Sequence, residues 1–318
     1  MTFSGIREGL EQHQIGLYFA AVLAAALAAT LAPALGALET AINPALAVML
    51  FATFLQVPLA ELGRAFRQLR FMTALLIANF VVIPLIVLLL AQFLPPNPLV
   101  HLGVMIVLLA PCIDYVVTFS HLGRADARGL LAATPLLLGM QMLLLPVYLG
   151  VMLGTDSRDL IQIEPFVHAF VWLIAVPLLL AGLVQFWART GRTGAHISDF
   201  LGLLPVPATA LVLFIVICAV VPQLDAARES AFQVVPIYIA FAVVAPIAGL
   251  IVGHLFKLPA AGTRAVAFSA ATRNSLVVLP LGLAVPGAVP VLPAVIVTQT
   301  LVELLSELVY VRLVPKAG

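Results

Sequence analysis

Two polar interruptions constrain this chain more than any other feature, because each stands in the middle of an apolar segment long enough to cross a bilayer. The first covers residues 110–114 (Ala-Pro-Cys-Ile-Asp) and the second covers residues 271–274 (Ala-Thr-Arg-Asn). The bilayer core has no water to bond freed backbone groups, so an irregular helix at that depth persists only inside protein or beside an aqueous cavity. Two such breaks, one in each half of a chain, predict the binding site of a transporter.

The composition identifies the surroundings of the chain. Only 9% of the 318 residues are charged and 63% are hydrophobic, whereas a soluble domain carries about 25% charged residues. We therefore predict an all-α polytopic membrane protein that is embedded in the lipid bilayer. The net charge of +1 gives no sign of a nucleic-acid partner. The sequence contains no hydrolase motif and no phosphate-binding glycine loop, so we do not expect an enzyme.

A helix needs about 20 apolar residues to cross a bilayer, and on that basis the sequence predicts ten transmembrane helices. They lie at residues 15–35, 43–60, 70–93, 99–121, 129–153, 165–188, 203–222, 232–256, 263–286 and 291–314. Of the 15 Lys and Arg residues, 12 fall in one set of alternate loops and 2 in the other, while Arg273 lies inside a span. Positive charge collects in cytoplasmic loops, so we expect both termini in the cytoplasm and the protein in the plasma (inner) membrane.

The chain matches itself at a shift of 162 or 163 residues. Aligned prolines carry most weight, because a proline inside a helix removes a hydrogen bond and bends it; the pairs are Pro84 with Pro246 and Pro44 with Pro207. The shift of 162 also places Cys112 on Asn274 and Gln141 on Glu303. We predict two repeats, residues 1–160 and 161–318. Each contains five helices, an odd number, so the second is inverted relative to the first.

Few polar side chains lie inside the predicted spans, and a charge at the bilayer centre costs at least about 2.5 kcal/mol. An ionisable residue there is therefore a functional hypothesis. The polar residues in the spans are Asn79, Asp114, Gln141, Arg273, Asn274, Gln299, Glu303 and Glu307. We assign Asn79, Gln141 and Gln299 a supporting role around the site.

Arg273 stands ten residues into its span, about 15 Å along a helix, and needs an anion at that depth. Asp114 is the first candidate, since the two interruptions should meet, and Glu303 is the second. Two interpretations are compatible with such a pair. The charges either bind a solute or form a structural clamp between two broken helices.

Glu303 and Glu307 are four residues apart and therefore share one face of a helix. A carboxylate in an apolar span can take up and release protons, because burial disfavours its charged form. We expect Glu303 to be a proton carrier or a charge balancer, with Glu307 as a second coupling residue. The alternative is that Glu303 only neutralises Arg273.

Cys112 follows Pro111, at the point where the helix opens. A thiolate is a soft ligand that suits soft metals and metalloids. A buried free cysteine more often only packs against its neighbours, and the residues alone favour that interpretation. Cys218, in an unbroken apolar run, is expected to be part of the core. Thr272, Asn274 and Ser275 supply hydroxyl and amide groups that are able to line a substrate or ion site.

At these residues the chain resembles the bile acid:sodium symporter superfamily, and most of all its arsenical-resistance (arsenite efflux) branch. The Ala-Pro-Cys run at 110–112, with Leu122 and Asp126 after it, is similar to the fourth-helix motif of that branch. The stretch 272–276 and the pair Val302-Glu303 resemble the ninth- and tenth-helix elements. The resemblance implies panel and core domains with crossing, broken fourth and ninth helices.

The resemblance also implies roles for single residues. In the arsenite branch the cysteine that matches Cys112 binds trivalent arsenic or antimony, and Glu303 is closest to an acidic residue that serves coupling. This chain departs from the pattern at Arg273, which adds a cation. The sodium ligands of the sodium-coupled branch are replaced here by Val116, Val117, Ser269 and Arg273. Sodium coupling is therefore not favoured, and no other cofactor is expected.

The leading hypothesis is a secondary transporter that exports arsenite or antimonite, driven by the proton gradient or the membrane potential. Its partner is a small solute, a metalloid oxyanion or hydroxide. The alternative is an organic-anion transporter in which Arg273 binds the anion. A membrane receptor or structural protein is a third class, which the breaks at mid-membrane depth do not favour. The sequence does not indicate an oligomeric state.

Overall fold

The computed structural model describes residues 3–56, 68–113, 115–153, 164, 167–168, 170–283, 285 and 287–317. Within these ranges the chain is helical, with short turns and no β-strand beyond a single isolated bridge. In chain order the helices are α1 (Phe3–Leu31), α2 (Glu39–Gln56), α3 (Leu69–Ala91), α4 (Pro98–Leu108), α5 (Tyr115–Leu122), α6 (Ala127–Met152), α7 (Val176–Thr190), α8 (Arg192–Leu201), α9 (Pro205–Val220), α10 (Leu224–Leu255), α11 (Ala260–Ala271), α12 (Ser275–Leu283) and α13 (Val291–Ala317). A π-helical turn, Ala78–Val82, interrupts α3, and a second, Phe170–Ala175, precedes α7.

Seven helices in the described ranges are long and apolar enough to cross a membrane: α1, α2, α3, α6, α7, α10 and α13. Each overlaps one of the ten predicted spans, so a multi-pass helical membrane protein is confirmed. The other three predicted spans, 99–121, 203–222 and 263–286, contain the shorter helices α4 with α5, α9, and α11 with α12. Of these, α9 follows α8 in a pair bent by 40°. The count of ten and the two inverted repeats stay predictions.

The chain divides into two compact units, each built from two separate stretches. The first unit comprises Met1–Leu59 and Val167–Asp225. In it, α9 packs against both α1 and α2, and α7 packs against α2 and α8. Cys218 lies in this core and is fully buried, with its thiol 3.5 Å from the Ala25 carbonyl oxygen. Its expected place in the core is therefore confirmed.

The second unit comprises Ala60–Phe166 and Ala226–Gly318, and it contains all the predicted site residues. Here α13 packs against α4 and α12, while α11 packs against α3, α5 and α6. The division of the chain into repeats at residue 160 stays a prediction beside these two units.

Two glycines allow α10 to approach α11 closely. A Cβ atom on Gly249 would lie 2.5 Å from the Ala267 Cα, and one on Gly253 would lie 2.7 Å from the Thr263 side chain. The glycines are four residues apart and therefore lie on one face of the helix, which is the small-residue (GxxxG) pattern by which membrane helices pack closely. This close packing places the end of α11, and with it the second interruption, against α10.

The first interruption follows from the local sequence. Asn97 begins α4 by accepting a hydrogen bond from the Leu99 N–H (3.0 Å), and Pro98 fits the first helical position. Pro111 has no N–H to continue the helical ladder, so α4 ends at Leu108. A new helix, α5, begins at Tyr115.

Candidate functional site

The two interruptions bind each other through their backbones. The Cys112 N–H donates to the Thr272 carbonyl oxygen (3.0 Å), and the Asn274 N–H donates to the Ala110 carbonyl oxygen (2.8 Å). Pro111 and Arg273 face each other between these bonds in an antiparallel bridge. The prediction that the two interruptions meet is confirmed. Asp114, the predicted partner of Arg273, lies outside the described residues.

The hydrogen bonds at this crossing follow the 162-residue shift. Each residue of one bond, moved by 162 positions, gives a residue of the other bond. A second pair of bonds obeys the same relation: the Tyr148 hydroxyl donates to the Phe80 carbonyl oxygen (2.6 Å), and the Tyr310 hydroxyl donates to the Ala242 carbonyl oxygen (2.5 Å). Tyr148 and Tyr310 are therefore identical residues at matching positions of the 162-residue shift, a match that the sequence analysis missed.

Arg273 replaces the helical donors that the crossing diverts. Its own N–H donates to Glu303 Oε2 (2.6 Å) instead of to the Ser269 carbonyl oxygen four residues earlier. The Asn274 N–H, likewise, binds across the crossing and leaves the Ala270 carbonyl oxygen without its helical donor. The Arg273 guanidinium donates through Nη2 to both of these carbonyl oxygens, at 2.7 Å for Ala270 and at a shorter distance for Ser269.

The same guanidinium also serves the end of α4. The carbonyl oxygen of Leu108 loses its helical donor because the Cys112 N–H binds Thr272, and Arg273 Nη1 donates to that oxygen at 3.4 Å. Arg273 Nη2 further donates to Asn79 Oδ1 (2.9 Å). The carboxyl ends of α4 and α11 carry partial negative charge, so this one cation stabilises the ends of both broken helices.

Arg273 is fully buried, and its guanidinium carbon lies 5.6 Å from the centre of the Phe241 ring, a cation–π contact. In the described ranges, no ion pair joins the Arg273 guanidinium to a carboxylate. Within those ranges the Arg273 guanidinium therefore binds carbonyl oxygens, Asn79 and an aromatic face. This geometry favours the clamp interpretation of the residue.

Glu303 binds the backbone of Arg273 and not its guanidinium. Its Oε2 accepts the Arg273 N–H (2.6 Å) and a Gln299 amide hydrogen (2.5 Å), and its Oε1 accepts the Tyr115 hydroxyl (2.6 Å). Three short bonds hold the carboxylate. The supporting role of Gln299 stays a prediction. Tyr115 was missed because an aromatic residue in an apolar run has no distinguishing sequence signal.

Glu307 lies one turn after Glu303 on α13 and is fully buried. Its Oε1 lies 2.5 Å from the Thr272 hydroxyl, and its Oε2 has no hydrogen-bond partner among the described residues. The Thr272 carbonyl oxygen accepts the Cys112 N–H, so Glu307 is connected to the first interruption through two hydrogen bonds of Thr272. The shared face predicted for the two glutamates thus turns toward the crossing.

A small cavity of about 10 Å³ adjoins this group and is lined in part by Gln299, Glu303 and Tyr310. A space of this size has room for about one water molecule. The polar residues around it supply the two to four hydrogen-bonding partners that a buried water requires.

The remaining predicted site residues are also buried. Ser275 accepts a hydrogen bond from the Thr300 hydroxyl (2.7 Å). Asn274 Oδ1 accepts one from the Val277 N–H (3.4 Å) at the start of α12, and its Nδ2 has no partner among the described residues. Neither polar atom of the Gln141 side chain has a partner in the described ranges, so no hydrogen bond there joins Gln141 to the crossing. Cys112 is 1% exposed.

A multi-pass helical membrane protein in which two interrupted apolar segments cross at buried polar residues has an architecture typical of secondary transporters. The sequence matches the model of the Sodium Bile acid symporter family over residues 43–230, which is more than half of the chain. The chain belongs to that family. Its members are transporters rather than enzymes, and a secondary transporter of small solutes is the function that the family supports. A comparison with curated proteins gives no match. The matched region includes the first interruption and ends before the second.

Proposed function

We propose that this protein exports arsenite or antimonite and that Cys112 is the metalloid ligand. The observation that carries the proposal is the position of Cys112. Its backbone N–H is held by the Thr272 carbonyl oxygen at 3.0 Å, and its thiol is buried where both helices break. A thiolate is the protein ligand best suited to a soft metalloid centre.

Polar groups for the rest of the solute lie on the second interruption. The Asn274 side-chain amide nitrogen has no partner among the described residues, so its hydrogens are available to a hydroxide or oxide group of the solute. Thr272 and Ser275 flank it in the sequence and contribute hydroxyl groups. We include all three residues in the proposed substrate site, together with Asp114.

Coupling is assigned to protons or the membrane potential and not to sodium. Carbonyl oxygens at the ends of half-helices are the groups that bind a coupling cation in transporters of this architecture. Here Arg273 already donates to three such oxygens, those of Leu108, Ser269 and Ala270. We propose that this tethered cation takes the place of a sodium ion, and that Glu303 and Glu307 are the coupling residues, one as the proton carrier and the other as the charge balancer.

The architecture proposed with this function has ten spans in two inverted repeats. The recurrence of two hydrogen-bond pairs at the 162-residue shift supports the repeats. We further infer that the second unit corresponds to a core domain and the first to a panel domain, in a plasma membrane with both termini in the cytoplasm.

The test is arsenite flux in proteoliposomes with Cys112→Ser and, as its matched control, Cys218→Ser. Both thiols are buried, but only Cys112 lies at the crossing. We expect Cys112→Ser to reduce flux to that of empty liposomes and Cys218→Ser to retain it. Arsenite flux that survives in Cys112→Ser, with the variant folded and inserted, contradicts the proposal.

The organic-anion alternative depends on Arg273 as the anion-binding charge. The guanidinium nitrogens Nη1 and Nη2 donate to protein oxygens, and only Nε has no partner among the described residues. A carboxylate ligand would have to displace those bonds to pair with Arg273 in the two-bond geometry that arginine favours. The alternative therefore predicts flux of an organic carboxylate that is lost in Arg273→Ala and retained in Cys112→Ser.

A further inference from the structure

The hydroxyl group of Thr272 lies between two oxygen atoms. The Phe268 carbonyl oxygen is 2.7 Å from Thr272 Oγ1, and Glu307 Oε1 is 2.5 Å from it. A hydroxyl group has one hydrogen and donates one hydrogen bond. Both distances are those of O–H···O hydrogen bonds, so two contacts need two hydrogens and Thr272 supplies only one.

The second hydrogen has one available source. If Glu307 is ionised, one of the two contacts holds two acceptor oxygens with no hydrogen between them. If Glu307 is protonated, its O–H donates to Thr272 Oγ1, and the Thr272 hydroxyl donates to the Phe268 carbonyl oxygen. Each contact then contains a hydrogen. This arrangement depends on the count of hydrogens and on two distances, and it places a proton on Glu307.

Glu303 has the opposite surroundings, although it lies on the same face of α13. Three donors point at its carboxylate oxygens, from Tyr115, Arg273 and Gln299, at 2.5 to 2.6 Å. The Tyr115 hydroxyl also lies 3.3 Å from the Arg273 carbonyl oxygen, but that distance exceeds the range of an O–H···O hydrogen bond, so its one hydrogen belongs to Glu303. Hydrogen bonds to an ionised acceptor are the short and strong ones. The three donors therefore fit a carboxylate that stays charged, in contrast to Glu307.

We propose that Glu307, and not Glu303, is the proton-binding residue of this transporter, and that Thr272 connects its proton to the solute site. When Glu307 releases its proton to water, its carboxylate becomes an acceptor and the Thr272 hydroxyl turns from the Phe268 carbonyl oxygen to donate to it. Thr272 also holds Cys112 through its carbonyl oxygen. The proton thus acts on the residue that positions the proposed ligand, and this connection depends on the proposed function.

Other ionisable groups surround this site and share its proton balance. Glu303 and Tyr310 on α13 interact electrostatically with Glu307, and Arg273 interacts with both of them. Tyr115 of α5 binds Glu303, and Tyr238 of α10 lines the small cavity beside it. Variants of Glu303 and Glu307 therefore have to be compared side by side, in otherwise identical protein.

The first experiment needs no solute. Infrared spectra of the purified protein in detergent report the C=O stretching band of protonated carboxyl groups, for wild type, Glu307→Gln and Glu303→Gln. We expect a band that disappears at high pH in wild type, is absent from Glu307→Gln and persists in Glu303→Gln. A band that is lost in Glu303→Gln and kept in Glu307→Gln, or absent from all three proteins, overturns the assignment.

Thr272 offers a matched pair of variants for the same measurement. Thr272→Ser keeps the hydroxyl group and should leave the band where it is in wild type. Thr272→Val has the same shape without the hydroxyl group, so the Glu307 O–H loses its acceptor and the band should move to higher frequency. If Thr272→Val leaves the band unchanged, Thr272 is not the partner of the proton.

The second experiment separates exchange from net transport. Proteoliposomes containing Glu307→Gln should still exchange internal for external arsenite, but a pH gradient should no longer drive accumulation. Accumulation equal to wild type contradicts the role of Glu307 and leaves the proposed export of arsenite intact. If wild type itself moves no arsenite, the proposed function fails, while the infrared result still decides which glutamate holds the proton.

Discussion

Replacing Arg273 with methionine keeps an unbranched apolar stem as far as the ε position and removes the charge and the donors of the guanidinium. The carbonyl oxygens of Leu108, Ser269 and Ala270 then lose the partner that replaces their diverted helical donors. A buried acceptor without a partner costs about 1–3 kcal/mol. Three of them therefore lower the free energy of unfolding by about 3–9 kcal/mol, with the low end applying where water enters the space.

The assay is denaturant unfolding in detergent, followed by helical circular dichroism, for wild type, Arg273→Met and Arg312→Met. Arg312 is an exposed arginine on α13 and serves as the matched control. A surface substitution changes stability by about 0.5 kcal/mol or less. If Arg273→Met is as stable as Arg312→Met, the three carbonyl oxygens do not depend on the guanidinium and the clamp does not exist.

A smaller replacement tests the idea that Arg273 stands where a cation would otherwise bind. Arg273→Ala leaves the same oxygens and Asn79 Oδ1 around an emptied space. Sodium chloride should stabilise this variant more than choline chloride at equal ionic strength, by about 2.7 kcal/mol at a concentration 100 times the dissociation constant. Wild type should not distinguish the two salts. Equal effects of both salts on Arg273→Ala refute the cation replacement.

Two further predictions concern the packing and the hydrogen bonds around the crossing. Gly249→Ala should destabilise the protein, because its Cβ would lie 2.5 Å from the Ala267 Cα. Gly139→Ala is the control and should be neutral or stabilising, since a Cβ there meets nothing within 4 Å. Thermal unfolding of both variants in detergent tests this, and equal melting temperatures contradict the close packing of α10 on α11. Tyr115→Phe removes a hydrogen bond to a carboxylate and should lower the free energy of unfolding by about 1.5–3 kcal/mol. Tyr310→Phe removes a hydrogen bond to a neutral carbonyl group and should lower it by about 0.5–1.5 kcal/mol. The reverse order in denaturant unfolding indicates that Glu303 is not charged.

The crossing of the two interruptions was predictable from the sequence, because polar residues stand out in long apolar segments. Breaks stand out in apolar spans, and a common shift of 162 residues pairs the first with the second. The meeting of Cys112 with Thr272, and of Ala110 with Asn274, follows from those two facts. The seven long helices also follow, since each is apolar over the length of about 20 residues that a bilayer crossing requires.

The partners of Arg273 were not predictable in the same way. The sequence suggests a carboxylate for a buried cation, but in the described residues the guanidinium binds backbone oxygens. Those oxygens lack helical donors because two N–H groups bind across the crossing and a third binds Glu303. Backbone geometry of this kind leaves no trace in residue types. Tyr115 and Phe241 were missed for a related reason, since aromatic residues in apolar spans most often pack in a core.

The residues at positions 111 and 273 differ, and this difference explains why one cation is enough to bind the carbonyl oxygens at the ends of both broken helices. The two positions face each other and are separated by the shift of 162, yet one is proline and the other is arginine. Pro111 ends α4 by lacking an N–H, while Arg273 adds donors that reach the last turns of both α4 and α11. A second arginine at position 111 would place two like charges in one buried space, which is costly at short range. The asymmetry therefore leaves position 111, next to Cys112, without a charge, and this fits the neutral metalloid hydroxide that we propose as the solute.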